Sequence, residues 1–310
     1  MRTSSEKRAG LLIGKAGLMH DTGPFHPESP QRLFAIEKSV QPLRDRFETL
    51  HSIAVDESIL ELVHPPVHID TVKNHCDAHE PIDADTICSA GSWEAALHAV
   101  GAGIVAVDRI LSDDLRRVFC GVRPPGHHAT AHRAMGFCLF NNVAITARYA
   151  QRKGFARIAI VDFDVHHGNG TQEIFYDDPT VLYFSTHQSP AFPGTGSKEE
   201  KGSKDAIGTN LNIPLPPGTG DEELLVHYTR WLPQVLRSFS PQLMIVSAGY
   251  DIHEADPLAQ FAVSTEGVQR IVRAILDAAD IPTIFMLEGG YNLDALGECV
   301  AATLEEILQF

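Results

Sequence analysis

The run Asp162, Phe163, Asp164, Val165, His166, His167 places two carboxylates and two imidazoles within six residues. It continues the apolar run Ile158 to Val161, so on an extended strand Asp162, Asp164 and His166 share one face. Carboxylates at the end of an apolar strand are costly to desolvate unless they are paired or bind a cation. Asp251, in SAGYD (247–251), ends another apolar run and is the acid best placed to complete the group. Such oxygen and nitrogen donors suit a zinc ion with ligands at about 2 Å and one position open for water. An isolated Asp-x-Asp would equally cap a helix or pair with Arg, and the adjoining His166 and His167 weigh against that. Asp256, just before Pro257, fits a turn or helix cap instead.

His127 and His128 follow Arg123, Pro124, Pro125 and Gly126, a turn that would fix two imidazoles side by side. A metal-assisted hydrolysis needs a general base for the water and a general acid for the leaving group, and imidazole serves both near neutral pH. Tyr291 follows Gly289 and Gly290. Its hydroxyl could donate to a developing oxyanion where the glycines allow close backbone approach. The alternative for Tyr291 is a buried tyrosine at a turn.

These groups need a scaffold that brings distant segments to one edge. Apolar runs at 118–122, 158–164, 181–186, 243–248 and 283–287 predict buried strands. Segments 93–111, 142–153, 221–239 and 265–279 carry helical periodicity between them. Alternating strands and helices predict one α/β domain with a mostly parallel central sheet and helices on both faces. Ligands of such sheets gather beyond the carboxyl ends of the strands. Five expected strand ends do present His, Asp or Tyr there: RPPGHH, DVHHGNG, STHQ, GYD and EGGY. The stretch 189–220, rich in Gly and Pro, reads as loop. Gly101 and Gly103 lie inside a helical segment rather than after a strand, which points to helix packing and not a dinucleotide loop. No GxSxG elbow occurs, so a serine hydrolase has little support.

Composition bounds the partners. Lys and Arg number 25 against 40 Asp and Glu, a formal net charge of −15. A general nucleic-acid groove needs clustered cations, so none is expected. Five Cys without a CxxC pair give neither a disulfide framework nor a thiolate zinc site, and a reducing compartment fits them. The opening MRTSSEKR leads into AGLLIGKAGLM, an apolar stretch broken by Gly14, Lys15 and Gly17, which does not read as a signal peptide. No window approaches a membrane span. The expected location is cytoplasmic.

The motifs RPPGHH (123–128), GFCLFNN (136–142), DFDVHHGNGT (162–171), FPGTG (192–196), SAGYDIHEADPLA (247–259) and EGGY (288–291) together resemble the zinc-dependent histone deacetylases. Bacterial members of that group include histone deacetylase-like amidohydrolases and acetylpolyamine amidohydrolases. The likeness runs from about His20 to the last residues and is nearest the second class, in which Asn stands at the position of Asn169. It implies a three-layer arginase/deacetylase fold, with residues 1–310 as a single catalytic domain. By the same resemblance Asp164, His166 and Asp251 hold one zinc, and potassium binds beside it through Asp162, Asp164, His166 and Ser185. His127 and His128 match the tandem catalytic imidazoles, oriented by Asp162 and Asn169 respectively. His128 then takes a proton from the attacking water and returns it to the leaving amine, while Tyr291 polarises the scissile carbonyl. Because Asn169 carries no charge, the two imidazoles should differ in basicity. Gly136, Phe137 and Phe192 match the walls of a narrow tunnel for the acyl-lysine alkyl chain, and Asp85 a rim acid that holds substrate backbone amides.

The implied activity is removal of acetyl or other short acyl groups from the ε-amine of acyl-lysine in a peptide or protein. The runner-up is an acetylpolyamine or other acetylated small amine. Polyamine-selective relatives place an acid just beyond the Asp-Pro after the third ligand. Here that position is Leu258, which favours acyl-lysine, although Glu254, Asp85 and Asp21 could supply rim charge. A catalytically weak acyl-lysine binder is a third reading, disfavoured by the intact Tyr291, His pair and ligands. A two-metal ureohydrolase would need an Asp two residues beyond the ligand His, where Gly168 stands. A homo-oligomer is compatible with the sequence, which does not specify one. If part of the −15 charge lies around the tunnel mouth, kcat/KM for a cationic acyl-lysine peptide falls as salt rises from about 0.01 to 1 M, where screening shortens from about 30 to 3 Å. A salt-independent kcat/KM would reduce the acidity to a solubility feature.

Overall fold

The computed structural model describes residues 9–112 and 115–310. One sheet is built from β1 (Ala9–Ile13), β2 (Glu48–Leu50), β3 (Arg117–Gly121), β4 (Ile158–Asp162), β5 (Val181–Gln188), β6 (Asn210–Leu215), β7 (Leu243–Ala248) and β8 (Thr283–Leu287). The spatial order is β2-β1-β3-β8-β7-β4-β5-β6, and every pairing is parallel. Central strands β3, β8, β7 and β4 are buried along their whole length. Strands covered on both faces have no polar side, which is why they appear in the sequence as unbroken apolar runs.

The covering helices are α1 (Gln31–Val40), α2 (Glu57–Leu60), α3 (Pro66–Ala78), α4 (Ser92–Leu111), α5 (Asn142–Arg152), α6 (Asn169–Phe175), α7 (Asp221–Val226), α8 (Leu232–Phe239), α9 (Thr265–Ala278) and α10 (Leu293–Ile307). Helices α1 and α7 to α10 share a core with Ala159, Val161, Met244, Val246 and Phe285. Helices α4, α5 and α6 share another with Ile158, Ile160, Ile245 and Ile284. Alternate residues of one strand therefore feed opposite layers, giving the expected three-layer arrangement. Side chains of Asn141, Ser264 and Asn292 cap α5, α9 and α10 by accepting from the N–H groups of Ala144, Gly267 and Ala295. Gly101 and Gly103 do serve packing: a Cβ at Gly101 would collide with the Ile53 carbonyl, and one at Gly103 with the Thr146 hydroxyl.

One strand went unmarked in the sequence, and two expectations need correction. The apolar stretch from Ala9 forms β1, next to β3, and the charged lead Met1 to Arg8 lies outside the described residues. The loop assigned to 189–220 contains edge strand β6, whose Pro214 is tolerated because no further strand pairs beyond it. The single helix expected over 221–239 is α7, a π-helical turn at His227–Trp231, and α8. Pro233 lies in the first turn of α8, where its missing N–H and its ring interrupt the i to i−4 ladder. All five Cys are buried free thiols.

A buried ion cluster ties the chain's first loops to the carboxyl edge of the sheet. Glu28 accepts from Arg123 through Nε and, at 2.7 Å, through Nη2, and from Arg32 Nη1 at 3.2 Å. Arg123 also donates to the carbonyls of Gly17 and His20, and Arg32 to those of Glu288 and Gly290. Glu28, Arg32 and Arg123 are almost wholly inaccessible. Burial alone would raise the Glu28 carboxyl, but Arg123, His20 and Arg32 hold it down to about 2. A group depressed in the fold stabilises it above its unfolded value near 4.5 and loses that contribution as pH falls towards 2. The contribution is about 3 kcal/mol. Urea unfolding between pH 6 and 2 should show this acid limb in the wild type. Glu28→Gln should flatten it and lower stability near neutral pH by roughly 3–5 kcal/mol, the scale for orphaning a buried charge. An identical acid limb in the variant would remove Glu28 from this role.

Candidate active site

Strand β4 ends at Asp162, so Asp164 and His166 lie in the loop beyond it rather than on a common strand face. That loop folds back so that Asp162 and Asp164 have separate tasks. Asp162, in register with Ser185 of β5 and Ser247 of β7, accepts from the Asp164 N–H, the Tyr183 hydroxyl and His127 Nδ1. Asp164 turns towards His166 and Asp251. One donor atom from each of Asp164, His166 and Asp251 lies within 4.8 Å of the others. His166 Nδ1 is 3.2 Å from Asp164 Oδ1 and 3.1 Å from Asp251 Oδ2. Backbone N–H groups of Gly289 and Val165 donate to the remaining oxygens of Asp164 and Asp251 at 2.8 and 3.0 Å. Glycines make the room: a Cβ at Gly249 would strike Asp164, and one at Gly289 would strike both carboxylates.

Two buried carboxylates round one imidazole create strong mutual perturbation. Burial lowers His166, but Asp164 and Asp251 outweigh this and hold it up at about 10. Burial and the neighbouring Asp164 push Asp251 up to about 7. Asp164 goes the other way: burial would raise it, and His127 and His166 keep it ionised. A set of two carboxylate oxygens and one imidazole nitrogen, largely buried and already converged, fits a divalent ion such as zinc.

The turn after β3 presents the imidazole pair above this group. Glu288, at the end of β8, accepts from the N–H groups of Gly126 and His127 at 2.7 and 3.1 Å. A Cβ at Gly126 would strike the Asn142 backbone, so the turn is packed as well as hydrogen-bonded. The two rings lie 4.1 Å apart. His127 Nδ1 meets Asp162 at 3.1 Å, and His128 Nδ1 meets Asn169 Oδ1 at 2.8 Å. The Asn169 amide donates to the His128 carbonyl and the Met135 sulfur, which leaves its oxygen for the ring. An amide oxygen only accepts, so His128 Nδ1 carries the proton and neutral His128 keeps the Nε2 lone pair. Burial depresses both rings. For His127 the carboxylates of Asp164, Asp162 and Glu288 reverse this and raise it well above an ordinary histidine. For His128 the nearby His127 and His166 add to burial and hold it well below. The surroundings thus bias His127 towards its charged form and His128 towards its neutral form.

Gly168 has no room for a side chain: a Cβ would meet Asp162, the Tyr183 hydroxyl and His127 Nδ1. A ligand Asp at this position is therefore sterically barred. Tyr291 enters from the turn after β8, with its N–H donated to Asp256 at 2.7 Å. Asp256 also accepts from Leu258 N at 2.9 Å, so the expected turn cap holds Tyr291 in place too. Burial and the acids raise Tyr291 well above an ordinary phenol, leaving it a hydroxyl donor. The Arg32 guanidinium lies 5.1 Å from its ring.

The mouth gathers the expected wall residues. Phe137 stands edge-on to Tyr291 at 5.8 Å, and Phe192 edge-on to His128 at 5.0 Å. Gly136 and Phe137 both have left-handed φ, +55° and +69°, and a Cβ on Gly136 would press on the His128 and Phe192 rings. His167 and His187 anchor the Phe192 loop by bonds to Thr195 Oγ1 at 2.8 Å and the Gly196 carbonyl at 2.9 Å. Ser185 is buried, with its hydroxyl 2.9 Å from His187 Nδ1. Asp85 and Leu258 are exposed at their loops. Sequence reasoning passed over His26, which packs against Phe137 at 4.8 Å and meets the Asp85 carbonyl at 3.1 Å. It also passed over Glu28, Arg32, Tyr183 and the positioning part of Glu288. The i, i+4 spacing of Glu28 and Arg32 beside Pro27 and Pro30 was the available signal.

Comparison with known proteins points to one family. Residues 26–307 match the histone deacetylase domain model. A probable deacetylase of Archaeoglobus fulgidus is 37% identical over 297 residues, covering 92% of this chain and 82% of that protein. Histone deacetylase 15 of Arabidopsis thaliana is 35% identical over 291 residues, covering 91% of this chain; the chain spans 53% of that relative's length. The crystal structure of the HDA15 HD domain superimposes with a TM-score of 0.93 at 34% identity, over 97% of this chain and 88% of that one. With the domain model, the relatives and the fold in agreement, the chain belongs to the histone deacetylase family.

Proposed function

We propose that this family hydrolase removes acetyl or other short acyl groups from the ε-amine of acyl-lysine, using one zinc ion held by Asp164, His166 and Asp251. The observation that carries the reading is an imidazole pair, one ring bonded to a carboxylate and the other to an amide, set directly beside a converged oxygen, nitrogen and oxygen donor group. Zinc, when bound, supplies Lewis acidity at the scissile amide and its attacking water. His128 takes the water's proton at Nε2 and returns it to the amine nitrogen as the C–N bond breaks. Asn169 keeps His128 in the tautomer that permits this, without the charge that would make it too basic. His127, held protonated against Asp162, adds positive charge where the oxyanion develops. The Tyr291 hydroxyl donates to that oxyanion. Phe137 and Phe192 exclude water around the alkyl chain, and Asp85 holds substrate backbone amides at the rim. No helix among the described residues is long and apolar enough to cross a membrane.

The test is turnover of an acetyl-lysine peptide with and without a chelator, alongside metal analysis. Zinc at about one per chain, turnover abolished by chelation and restored by zinc, and loss of both metal and turnover in Asp251→Ala are expected. Zinc present with no turnover of any acyl substrate would sink the enzyme reading, and faster turnover of acetylputrescine or acetylspermidine would replace acyl-lysine by acetylpolyamine. His128→Ala should lower kcat by roughly 100- to 10,000-fold at unchanged zinc content. Retention of most turnover would move the acid-base work to another group.

A further inference from the structure

Phe25 is fully exposed, at 102%, and its backbone is left-handed with φ +70°. For a bulky residue both features oppose the ordinary preferences: water contact on a large ring, and a backbone region that side chains other than Gly, Asn and Asp seldom occupy. Such strain persists where neighbouring contacts over-determine the chain. Here the neighbours are known. His26, one residue on, packs edge-on against Phe137 and bonds with the carbonyls of Glu28 and Asp85. On the other side Gly23 N donates to Asp21 Oδ1, and Asp21 N to Ser89 Oγ. The loop is thus pinned on both flanks, to the tunnel wall and to the Asp85 loop, with Phe25 held out between the pins. Phe192 and Leu258, exposed at 45% and 43%, supply further apolar surface.

On these grounds we infer that Phe25 is a substrate-reading residue, which covers an apolar side chain flanking the acyl-lysine in a peptide. This rests on the amide-hydrolysing reading above and narrows its substrate class. An exposed ring can also lie against the methylenes and ammonium groups of an acetylated polyamine, so the contrast between apolar-flanked and Gly-flanked peptides, set beside acetylputrescine, is what identifies the contact. A peptide threaded by its acyl-lysine keeps its neighbouring residues outside the tunnel, at the level of the rim. His26, half-buried against Phe137, positions the loop; Phe25 makes the contact.

The experiment measures kcat and KM of the zinc-loaded protein on two acetyl-lysine peptides, one with Leu and one with Gly on both sides of the lysine, and on acetylputrescine. In the wild type the Leu-flanked peptide should have the lower KM by about tenfold, the scale of a modest apolar contact. Phe25→Ala should bring the two KM values together with kcat little changed, and Phe25→Leu should recover part of the preference. A ratio near one in the wild type, an undiminished ratio in Phe25→Ala, or acetylputrescine as the better substrate would each overturn the assignment. Should no substrate be turned over at all, the hydrolase reading falls by itself. Fluorescence anisotropy of the same two peptides, labelled, then decides on Phe25 by the same comparison of ratios.

Discussion

Burying carboxylates is the constraint round which this molecule is arranged. Asp162, Asp164, Asp251 and Glu288 are all fully inaccessible and stand at the carboxyl ends of three neighbouring central strands. Unpaired, each would be neutralised or would unfold its surroundings. The fold answers with backbone N–H groups from Asp164, Val165, Gly289, Gly126 and His127, and with imidazoles at 127 and 166. Those N–H groups can reach only because Gly249, Gly289 and Gly168 leave out the Cβ that would intervene. One group remains under-compensated: around His166 two carboxylates share one imidazole, and Asp251 is pushed up to about 7. A divalent cation bound there, as proposed, would relieve that repulsion and so would couple metal affinity to fold stability.

The same accounting explains why two adjacent histidines differ. Their sequence context is shared and both rings are buried, so burial alone would depress both. What separates them is the partner of Nδ1: a carboxylate for His127 and an amide for His128. The difference between Asp and Asn therefore biases one ring towards holding a proton and leaves the other its Nε2 lone pair. The charged ring then depresses its neighbour further, which reinforces the split.

The parts of this design that were legible in the sequence are those where burial is two-sided. Strands β7 and β8 coincide with their apolar runs, because covered strands have no reason to carry polar residues. Edge strands β2 and β6 are short or polar, and β6 alternates Asn with Leu and Ile before Pro214, so no apolar run marked them. The ligand residues were legible because Asp and His ending an apolar run need a reason to be there. Assigning Asp162 to a common face with Asp164 failed, since the strand stops at Asp162 and the alternation stops with it. Glu28, Arg32 and Arg123 were invisible as a unit: the i, i+4 spacing of Glu28 and Arg32 hinted at a pair, but Arg123 joins it from 95 residues away.

Depth in the site also decides what can vary. Around Asp162 nearly every polar atom has a committed partner, and changing one leaves a buried donor or acceptor orphaned. At the mouth the commitments thin out: Phe25 makes no polar contact through its side chain, Leu258 is half in solvent, and Asp85 is exposed. Substitution there leaves the buried hydrogen bonds of the centre in place. Chemistry is thus written in the residues that cannot change without unfolding the edge of the sheet. The rim is held to that edge through His26 and Phe137, so on the proposed reading recognition can vary at the rim while the centre stays fixed.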